Sequence, residues 1–279
     1  MSTLSAVPVA ETVDSLETDL LLEGLLRRWG YDLRGYDRRR AQHRLQALLR
    51  ARREGSLSSL QGRVLRDSRE ADRVVAALCR PCPRLFHEPR YWLAFRRRAV
   101  PYLRTYPSAR LWVPSCGKGE DAFAFAIVLE EEGLLDRSEV YATDLGEDAV
   151  GQARAARIPA TRLRAAESRH ARAGGTRRLD AHFEPRPRGE ALLRQGLRER
   201  IVLGTHSLAT DGPINEFQYV HCRGLLPRFG PLLRRRVLDL VLRSLCPLGL
   251  VALDPGTVDL RPAGLTPYVP EEGIWRRVS

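Results

Sequence analysis

The sequence is almost without lysine. Lys118 is the only lysine among 46 basic residues, and every other cation is an arginine. The chain carries a net charge of +12 over 279 residues, and the first 100 residues hold 20 arginines against 12 acidic residues. Two interpretations fit this uneven excess: an acidic or phosphate-bearing partner for the first part of the chain, or solvated helix faces rich in arginine.

Cysteines and long apolar runs are also scarce. The chain has five cysteines: Cys79, Cys82, Cys116, Cys222 and Cys246. They are too scattered for a disulfide framework, and the one C-x-x-C pair has no second pair to complete a structural zinc site. No apolar run approaches the about 20 residues of a membrane span, and residues 1–13 lack a basic leader. We therefore expect a reduced, cytoplasmic protein with no metal, no membrane span and a disordered tail at residues 1–13.

Apolar residues at helical spacing characterise the first part of the chain. Leucines recur at this spacing over residues 14–29, and Gly30 closes the predicted helix. Asp37 can cap a second helix over residues 38–53, which is strongly basic, and two shorter helices follow. Since nothing here alternates as strands do, we predict a small all-helical domain over residues 14–80.

Strands and helices alternate in the rest of the chain. Prolines punctuate a connecting loop, and a helix follows it, so residues 81–108 are predicted as linker and helix. From residue 109 to 279 the alternation predicts an α/β layer with a mostly parallel sheet. Residues 157–199 are polar, arginine-rich and weakly patterned, and we interpret them as an irregular insertion.

The run from Leu111 to Ala126 is the most informative stretch. It begins as a short apolar strand, breaks into a turn with two glycines, and resumes at helical spacing. A strand, a glycine turn and a helix N-terminus form a cradle in which backbone N–H groups can approach a nucleotide. Asp144 ends the next predicted strand, where an acid can bind a ribose diol. Together these features indicate a nucleotide or nucleoside cofactor.

Several motifs resemble, in the same order, those of the CheR-type chemotaxis-receptor methyltransferases. They are Gly30-Tyr31-Asp32, Leu85-Phe86-His87-Glu88-Pro89, Trp112–Ala126, Ala142-Thr143-Asp144, His182-Phe183 and Phe217–Phe229. The last reads Phe-Gln-Tyr-Val-His-Cys-Arg-Gly-Leu-Leu-Pro-Arg-Phe, where the family has Phe-Asp-Val-Ile-Phe-Cys-Arg-Asn-Val-Leu-Ile-Tyr-Phe. A colinear set of imperfect motifs is more specific than any one of them.

The resemblance implies a Rossmann-like methyltransferase domain that binds S-adenosyl-L-methionine, preceded by a small helical domain. It implies methyl transfer to a glutamate side chain of a chemoreceptor-type protein, with the basic helix 38–53 facing the acidic partner. The cofactor residues carried over from the family are Ser115, Gly117, Gly119, Glu120, Asp144, Ser207, Leu208, Cys222 and Arg223. Glu120 or Asp121 is the expected partner of the cofactor's ammonium group.

The chain departs from the family mainly on the substrate side. The family's threonine and arginine near the transferred methyl are Pro83 and His87 here, and its active-site tyrosine is Arg228. Ser115 stands where the family has the first glycine of the turn. Other departures are Gly224 for asparagine, Leu248-Gly249 for Gly-Gly, and Gly256-Thr257 for Ser-Glu. His87 and Arg228 are the candidate catalytic residues. His87 stands at the position of the family's arginine, and Arg228 can supply a replacement cation for a carboxylate.

Two functions therefore remain open at the level of sequence. One is a CheR-like methyltransferase that acts on protein glutamate side chains. The other is a non-catalytic CheR-like module that binds the cofactor, a protein partner or both in a signalling system. A nucleic-acid methyltransferase is the least favoured, because the chain lacks an Asn/Asp-Pro-Pro-Tyr-type motif and an interleaved aromatic and basic patch.

Overall fold

A computed structural model describes residues 12–79, 84–214, 216–255 and 264–278. The chain divides into two compact units, with the division between Leu78 and Cys79. That the two units are separate domains remains our prediction. Most of the expected tail, residues 1–11, lies outside the described residues, but Val13 already begins a helix and Thr12 caps it. No helix among the described residues is both long and apolar enough to span a membrane.

The first unit consists of helices at nearly the predicted positions. They are α1 (Val13–Trp29), α2 (Arg38–Arg52), α3 (Leu57–Val64) and α4 (Ser68–Cys79). The side chains of Thr12, Asp37 and Ser56 accept backbone N–H groups at the starts of the first three helices. Such caps satisfy donors that the helix itself cannot. Gly30 ends α1 in the left-handed conformation, with φ of 78°.

The second unit alternates helices and strands. Its helices are α5 (Pro89–Ala94), α6 (Val100–Leu103), α7 (Glu120–Glu131), α8 (Glu147–Ala155), α9 (Ala160–Arg172), α10 (Gln195–Arg198) and α11 (Pro231–Ser244). A π-helical turn, Phe95–Ala99, joins α5 to α6. Its strands are β1 (Ala109–Pro114), β2 (Ser138–Asp144), β3 (Arg157–Pro159), β4 (Phe183–Arg186), β5 (Glu190–Leu193), β6 (Ile201–Thr205), β7 (Phe217–His221), β8 (Leu245–Ala252), β9 (Leu265–Val269) and β10 (Ile274–Arg277).

Seven strands form one sheet in the order β6-β2-β1-β7-β8-β10-β9. The first five are parallel, and β10 runs antiparallel to both β8 and β9. The chain winds outward from β1 in both directions, so β1 and β7 flank the topological switch point. Ligands of doubly wound sheets bind beyond the carboxyl ends of strands at that point. The predicted α/β class with a mostly parallel, Rossmann-like sheet is confirmed.

The prediction of an irregular insertion at residues 157–199 is wrong. This segment contains helix α9 and a three-stranded antiparallel sheet in the order β3-β5-β4. Its strands have only three or four residues each, and β3 and β4 each contain a proline. Strands this short show little periodicity in sequence, which explains why the pattern missed them.

One buried carboxylate joins the segments around α7 and α9. Glu131 accepts hydrogen bonds from His182 Nε2 and His170 Nε2, each at 3.2 Å, and from Arg96. Burial alone raises the pKa of Glu131, but these histidines and the charge of Arg96 outweigh it and hold that pKa well below 4.5. His182 also reaches Glu130 through Nδ1, at 2.8 Å. The cluster is an ion-pair network that links the inserted segment, through His170 and His182, to helix α7.

The same three side chains, Glu131, His170 and His182, place potential ligand atoms within 4.8 Å of one another. A divalent metal would have to displace N–H donors from both carboxylate oxygens, because backbone N–H groups of Thr176 and Arg177 also point at Oε1. The guanidinium of Arg96 beside Oε2 further disfavours a cation. We therefore assign the cluster a structural role.

Glu131→Gln tests this role. Breaking a buried ion pair typically costs about 3–5 kcal/mol, so we expect a loss of that order in the free energy of unfolding at pH 7. Because the pKa of Glu131 is lowered in the folded state, the stabilisation is present above pH 4.5 and is lost as the pH falls. The difference between wild type and variant should therefore shrink in acid, as measured by urea denaturation.

The control is Glu184→Gln, which removes an exposed pair with Arg186. It should cost at most about 1 kcal/mol. Equal losses for the two variants would contradict the structural role of the buried cluster.

Candidate functional site

The turn after β1 is built from left-handed residues. Ser115, Gly117 and Gly119 have φ values of 55°, 56° and 84°. Glycine adopts this conformation without strain, but Ser115 carries a steric cost that the family's glycine avoids. Gly119 is also required for space, because a Cβ there would lie 2.8 Å from Phe123 Cζ. The turn therefore rests closely on the first turn of α7.

Asp144 holds this turn from the neighbouring strand. Its Oδ2 accepts the N–H of Gly117 at 2.8 Å, and its Oδ1 accepts the N–H of Leu145 at 2.9 Å. Burial raises the pKa of this carboxyl, while the backbone N–H groups and the charge of Arg228 oppose the rise. The N–H of Gly146 also contributes, and a carboxylate has about four lone-pair sites, so acceptor capacity is left for a ribose hydroxyl.

Glu120 and Asp121 differ in how they are bound. Glu120 is 4% exposed, and its oxygens meet Arg162 at 2.7 Å and the N–H of Leu85 at 3.0 Å. Burial raises the pKa of Glu120, against the charge of Arg162. Asp121 is more open, and its nearest ion-pair partner is His221 Nε2 at 3.7 Å. Glu120 thus links the segment around Leu85 to α7, whereas the side chain of Asp121 is 23% exposed and lies next to His221.

Arg228, a predicted catalytic residue, is 8% exposed. Its guanidinium donates hydrogen bonds to nearby backbone carbonyls and to one side chain. Its Nε donates to the carbonyl of Gly224 at 2.6 Å, and its Nη1 donates to the carbonyl of Cys79 at 2.8 Å and to Ser115 Oγ at 3.2 Å. The structure therefore brings Arg228 together with the turn and with Asp144. It braces the strained Ser115 rather than presenting an open guanidinium fork.

His87 is the other predicted catalytic residue, and it lies between Leu85, which contacts Glu120, and Glu88, which pairs with Arg223. Its side chain is exposed, and its backbone N–H donates to the carbonyl of Arg84 at 2.8 Å, which closes a turn. No hydrogen bond among the described residues joins its ring to the guanidinium of Arg228. A catalytic role for His87 stays a prediction.

The remaining predicted cofactor residues lie at the carboxyl ends of β6 and β7. Ser207 donates its backbone N–H to Asp211 at 2.9 Å, and Leu208 is buried beside it. Cys222 is fully buried and donates its N–H to the carbonyl of Ala252, and burial raises the pKa of its thiol well above the usual range. Arg223 donates to Glu88 from Nε at 2.9 Å. Cys222 and Arg223 follow β7 at the switch point, whereas Ser207 and Leu208 follow the edge strand β6. A role of these four residues in cofactor binding stays a prediction.

Part of the sequence comparison with the family concerns residues outside the described ranges. Pro83, Gly256 and Thr257 lie outside the described residues, as does Cys82 of the C-x-x-C pair. Cys116, Cys222 and Cys246 are buried free thiols, and Cys79 is also buried.

Sequence reasoning missed a buried hydrogen-bonded chain next to Asp121. The hydroxyl of Tyr91 lies 2.8 Å from the hydroxyl of Tyr219 and 2.8 Å from His221 Nδ1. His221 is the side chain whose Nε2 faces Asp121. A signal was present in the motif Phe217–Phe229, because Tyr219 and His221 replace a valine and a phenylalanine of the family.

A charged cleft of about 680 Å³ lies beside Arg223. Three arginines and three glutamates contribute to its lining: Arg90, Arg172, Arg223, Glu88, Glu271 and Glu272. Arg90 pairs with Glu272 at 3.2 Å, and Arg223 pairs with Glu88. Among the described residues, Arg172 has no carboxylate within 4.0 Å. Glu271 likewise has no arginine or lysine within 4.0 Å among the described residues, so the formal charges that line the cleft balance.

The residues at the switch point fit S-adenosylmethionine. Gly119 precedes α7 without a side-chain cap, and the first N–H groups of this helix have no intrahelical acceptor. A ribose at the end of β2 would donate to Asp144, and an ammonium group would pair with an acid at the start of α7. These acceptors match the donors that S-adenosylmethionine carries on its ribose and at its amino-acid end.

Comparison with known proteins assigns the chain to a family. The sequence model of the CheR methyltransferase SAM-binding domain matches residues 83–255. Cher3 of Pseudomonas putida, described as a putative methyltransferase, is 35% identical to this chain over 244 residues, which cover 88% of this chain and 89% of Cher3. The fold and the site define an S-adenosylmethionine-dependent methyltransferase domain. The chain belongs to the CheR methyltransferase family, and its cofactor is S-adenosylmethionine.

Solved structures give more distant similarities. The glycopeptide N-methyltransferase MtfA with bound S-adenosylmethionine is 19% identical, with a TM-score of 0.35 over 58% of this chain and 53% of MtfA. CalS10 of Micromonospora echinaspora, an amino pentose methyltransferase, is 18% identical, with a TM-score of 0.34 over 59% of this chain and 50% of CalS10. The chain spans about half the length of these structures.

Gly119→Ala tests the packing of the turn. The added Cβ meets the Phe123 ring, and alanine is strained at a φ of 84°. Left-handed strain of about 1–2 kcal/mol and overpacking of about 1–3 kcal/mol should together lower the melting temperature and weaken binding of S-adenosylhomocysteine. Thermal denaturation and calorimetry measure the two effects.

Gly146→Ala is the matched control. Gly146 directly precedes α8 with a φ of −107°, and nothing lies within 4 Å of an added Cβ. It should leave both stability and binding nearly unchanged. If the two alanine variants behave alike, the close approach at Gly119 is not what shapes the turn.

Proposed function

We propose that this chain is a CheR-like methyltransferase that transfers the methyl group of S-adenosylmethionine to glutamate side chains of a chemoreceptor-type protein. The observation that carries the proposal is the turn from Ser115 to Gly119, held by Asp144 at the switch point of the sheet. The chain has this turn, Asp144 at the end of β2 and the partly exposed Asp121 at the start of α7, which are the groups that we propose for cofactor binding.

The reaction itself asks little proton chemistry of the protein. A glutamate with a reference pKa of about 4.3 is ionised at neutral pH, so the acceptor needs no general base. When bound, the cofactor supplies an electrophilic methyl group on a sulfonium. The chain's residues must then hold the acceptor oxygen in line with that methyl and exclude water.

Arg172 is the residue that we propose for binding the acidic acceptor. Arg172 lines the charged cleft beside Arg223, and an arginine can bind a carboxylate through two parallel hydrogen bonds. This cleft therefore takes, in our proposal, the role that the family assigns to the arginine replaced by His87.

A second candidate is a non-catalytic module that keeps the fold and the cofactor. The arrangement of Arg228 favours it, since this residue stands in place of the family's active-site tyrosine and directs its guanidinium to Gly224, Cys79 and Ser115. Such a protein would act in signalling through its contacts with other proteins.

Calorimetry followed by a transfer assay separates these candidates. We expect S-adenosylmethionine and S-adenosylhomocysteine to bind, and radiolabelled methyl groups to appear on the signalling domain of a chemoreceptor. Replacing the acceptor glutamates of that domain with alanine should abolish labelling, since alanine has no carboxylate. Binding without transfer would favour the non-catalytic module, whereas no binding at all would overturn the use of this cofactor.

The basic helix α2 is the proposed docking surface for an acidic partner. Arg38, Arg44 and Arg52 pair with groups of the first unit, whereas Arg39 and Arg50 are exposed on the same side of the helix. A partner bound here is held by charge and is therefore sensitive to salt.

Reversing this charge tests the docking surface. Arg39→Glu with Arg50→Glu should weaken binding to the receptor domain by at least about ten-fold at low salt, because attraction becomes repulsion. S-adenosylhomocysteine affinity should not change. Arg154→Glu, an exposed position of the second unit, serves as control; an equal loss with this variant would show a general charge effect rather than docking on α2.

A further inference from the structure

The charged cleft beside Arg223 joins segments that are far apart in the sequence. Glu88 and Arg223 belong to two of the family motifs. Arg172 ends helix α9, and Glu271 lies in the turn between β9 and β10. Because Arg223 follows β7 at the switch point, the cleft adjoins the place where a doubly wound sheet binds its ligands.

Four of the six charged residues of this cleft are paired with one another. Arg223 has an 8% exposed side chain, its Nε donates to Glu88 at 2.9 Å, and its guanidinium carbon lies 4.6 Å from the centre of the Tyr91 ring. Arg90 and Glu272 pair at 3.2 Å. These two pairs offset each other's charges, so they add little net field inside the cleft.

Arg172 and Glu271 are the other two charged residues of the cleft. Among the described residues, no carboxylate lies within 4.0 Å of Arg172, and no arginine or lysine lies within 4.0 Å of Glu271. Both residues are exposed, and they belong to different walls of the cleft, one to α9 and the other to the turn before β10. Within the described part of the chain, the cleft is therefore polarised between a cation and an anion.

The surroundings of Arg172 strengthen this polarity. Burial lowers the pKa of Arg169, one turn earlier on α9, and the charges of Arg84 and Arg172 lower it further. Such effects of charge require the guanidinium groups to be neighbours. The wall formed by α9 thus has a positive potential that favours a carboxylate, whereas the opposite wall carries two successive glutamates, Glu271 and Glu272.

We propose that this cleft selects an acceptor glutamate that has a lysine or arginine one helical turn away, with Arg172 binding the carboxylate and Glu271 binding the cation. Side chains three or four residues apart on a helix have Cβ atoms about 5–6 Å apart, so one cleft can receive both. An ammonium or guanidinium group is the matching donor for Glu271. The inference rests on the proposed glutamate methylation and adds a requirement on a residue near the acceptor.

Two helical peptides of identical composition test this specificity. Each contains one glutamate and one lysine among alanines and glutamines, and the lysine follows the glutamate by four residues in the first peptide and by two in the second. Only the first presents both side chains on one face. With S-adenosylhomocysteine present, we expect the first peptide to bind about two- to five-fold more tightly, the range of an exposed ion pair. Fluorescence anisotropy of peptides labelled at the N-terminus measures both affinities.

Three variants assign the preference to its residue. Glu271→Gln should bind the two peptides equally, because it lacks the anion that recognises the lysine. Arg172→Gln should weaken binding of both peptides by at least about three-fold without changing their ratio, since both keep the acceptor carboxylate. Asp239→Asn is the matched control, because it also removes one negative charge but lies exposed on α11, where Asp239 pairs with Arg243 at 3.0 Å. This variant should keep the wild-type preference.

Equal binding of the two peptides to the wild-type chain would overturn the proposal, as would binding of neither. A preference that persists in Glu271→Gln, or that Asp239→Asn also abolishes, would overturn it as well. Radiolabelled S-adenosylmethionine supplied with the same peptides tests the proposed function separately. If the first peptide binds with the expected preference but receives no methyl group, the proposed transfer fails and the specificity of the cleft stands. If both peptides are methylated alike, only the specificity fails.

Discussion

The hydrogen bond from Gly117 to Asp144 is the constraint on which the site depends. It joins the turn after β1 to the end of β2, so two neighbouring strands present their carboxyl ends as one surface. Around this bond the turn can hold three left-handed residues, one of which is a serine. Arg228 donates a hydrogen bond to that serine, and the Phe123 ring occupies the space that a side chain at Gly119 would need.

The sequence predicted much of this framework, because its signals are local. Apolar periodicity located α1 and β1, and a glycine turn followed at a distance by Asp144 indicated the cofactor cradle. The distinction between Glu120 and Asp121 could not be predicted, since it depends on Arg162 and Leu85, which approach from other parts of the chain. The same limit explains the inserted sheet, whose strands are too short to show a period.

The departures from the family are not scattered losses. Arg228 replaces a tyrosine, and Ser115 replaces a glycine, yet the two residues contact each other. Tyr219 and His221 likewise meet through Tyr91. In both cases the substituted residues contact one another or a shared neighbour, so the substitutions are structurally coupled. The geometry thus supports cofactor binding more directly than it supports transfer.

The single lysine has a consequence of its own. Lys118 is exposed and lies in the turn between Gly117 and Gly119. Arginine does not react with acylating reagents as a primary amine does, so a chain with 46 basic residues has only one lysine side chain open to such reagents. Chemical labelling at this amine places a probe on the turn that follows β1. The α-amino group of the chain is the other primary amine of the sequence and reacts at lower pH, so conjugation in mildly alkaline solution can reach the turn without any engineered residue.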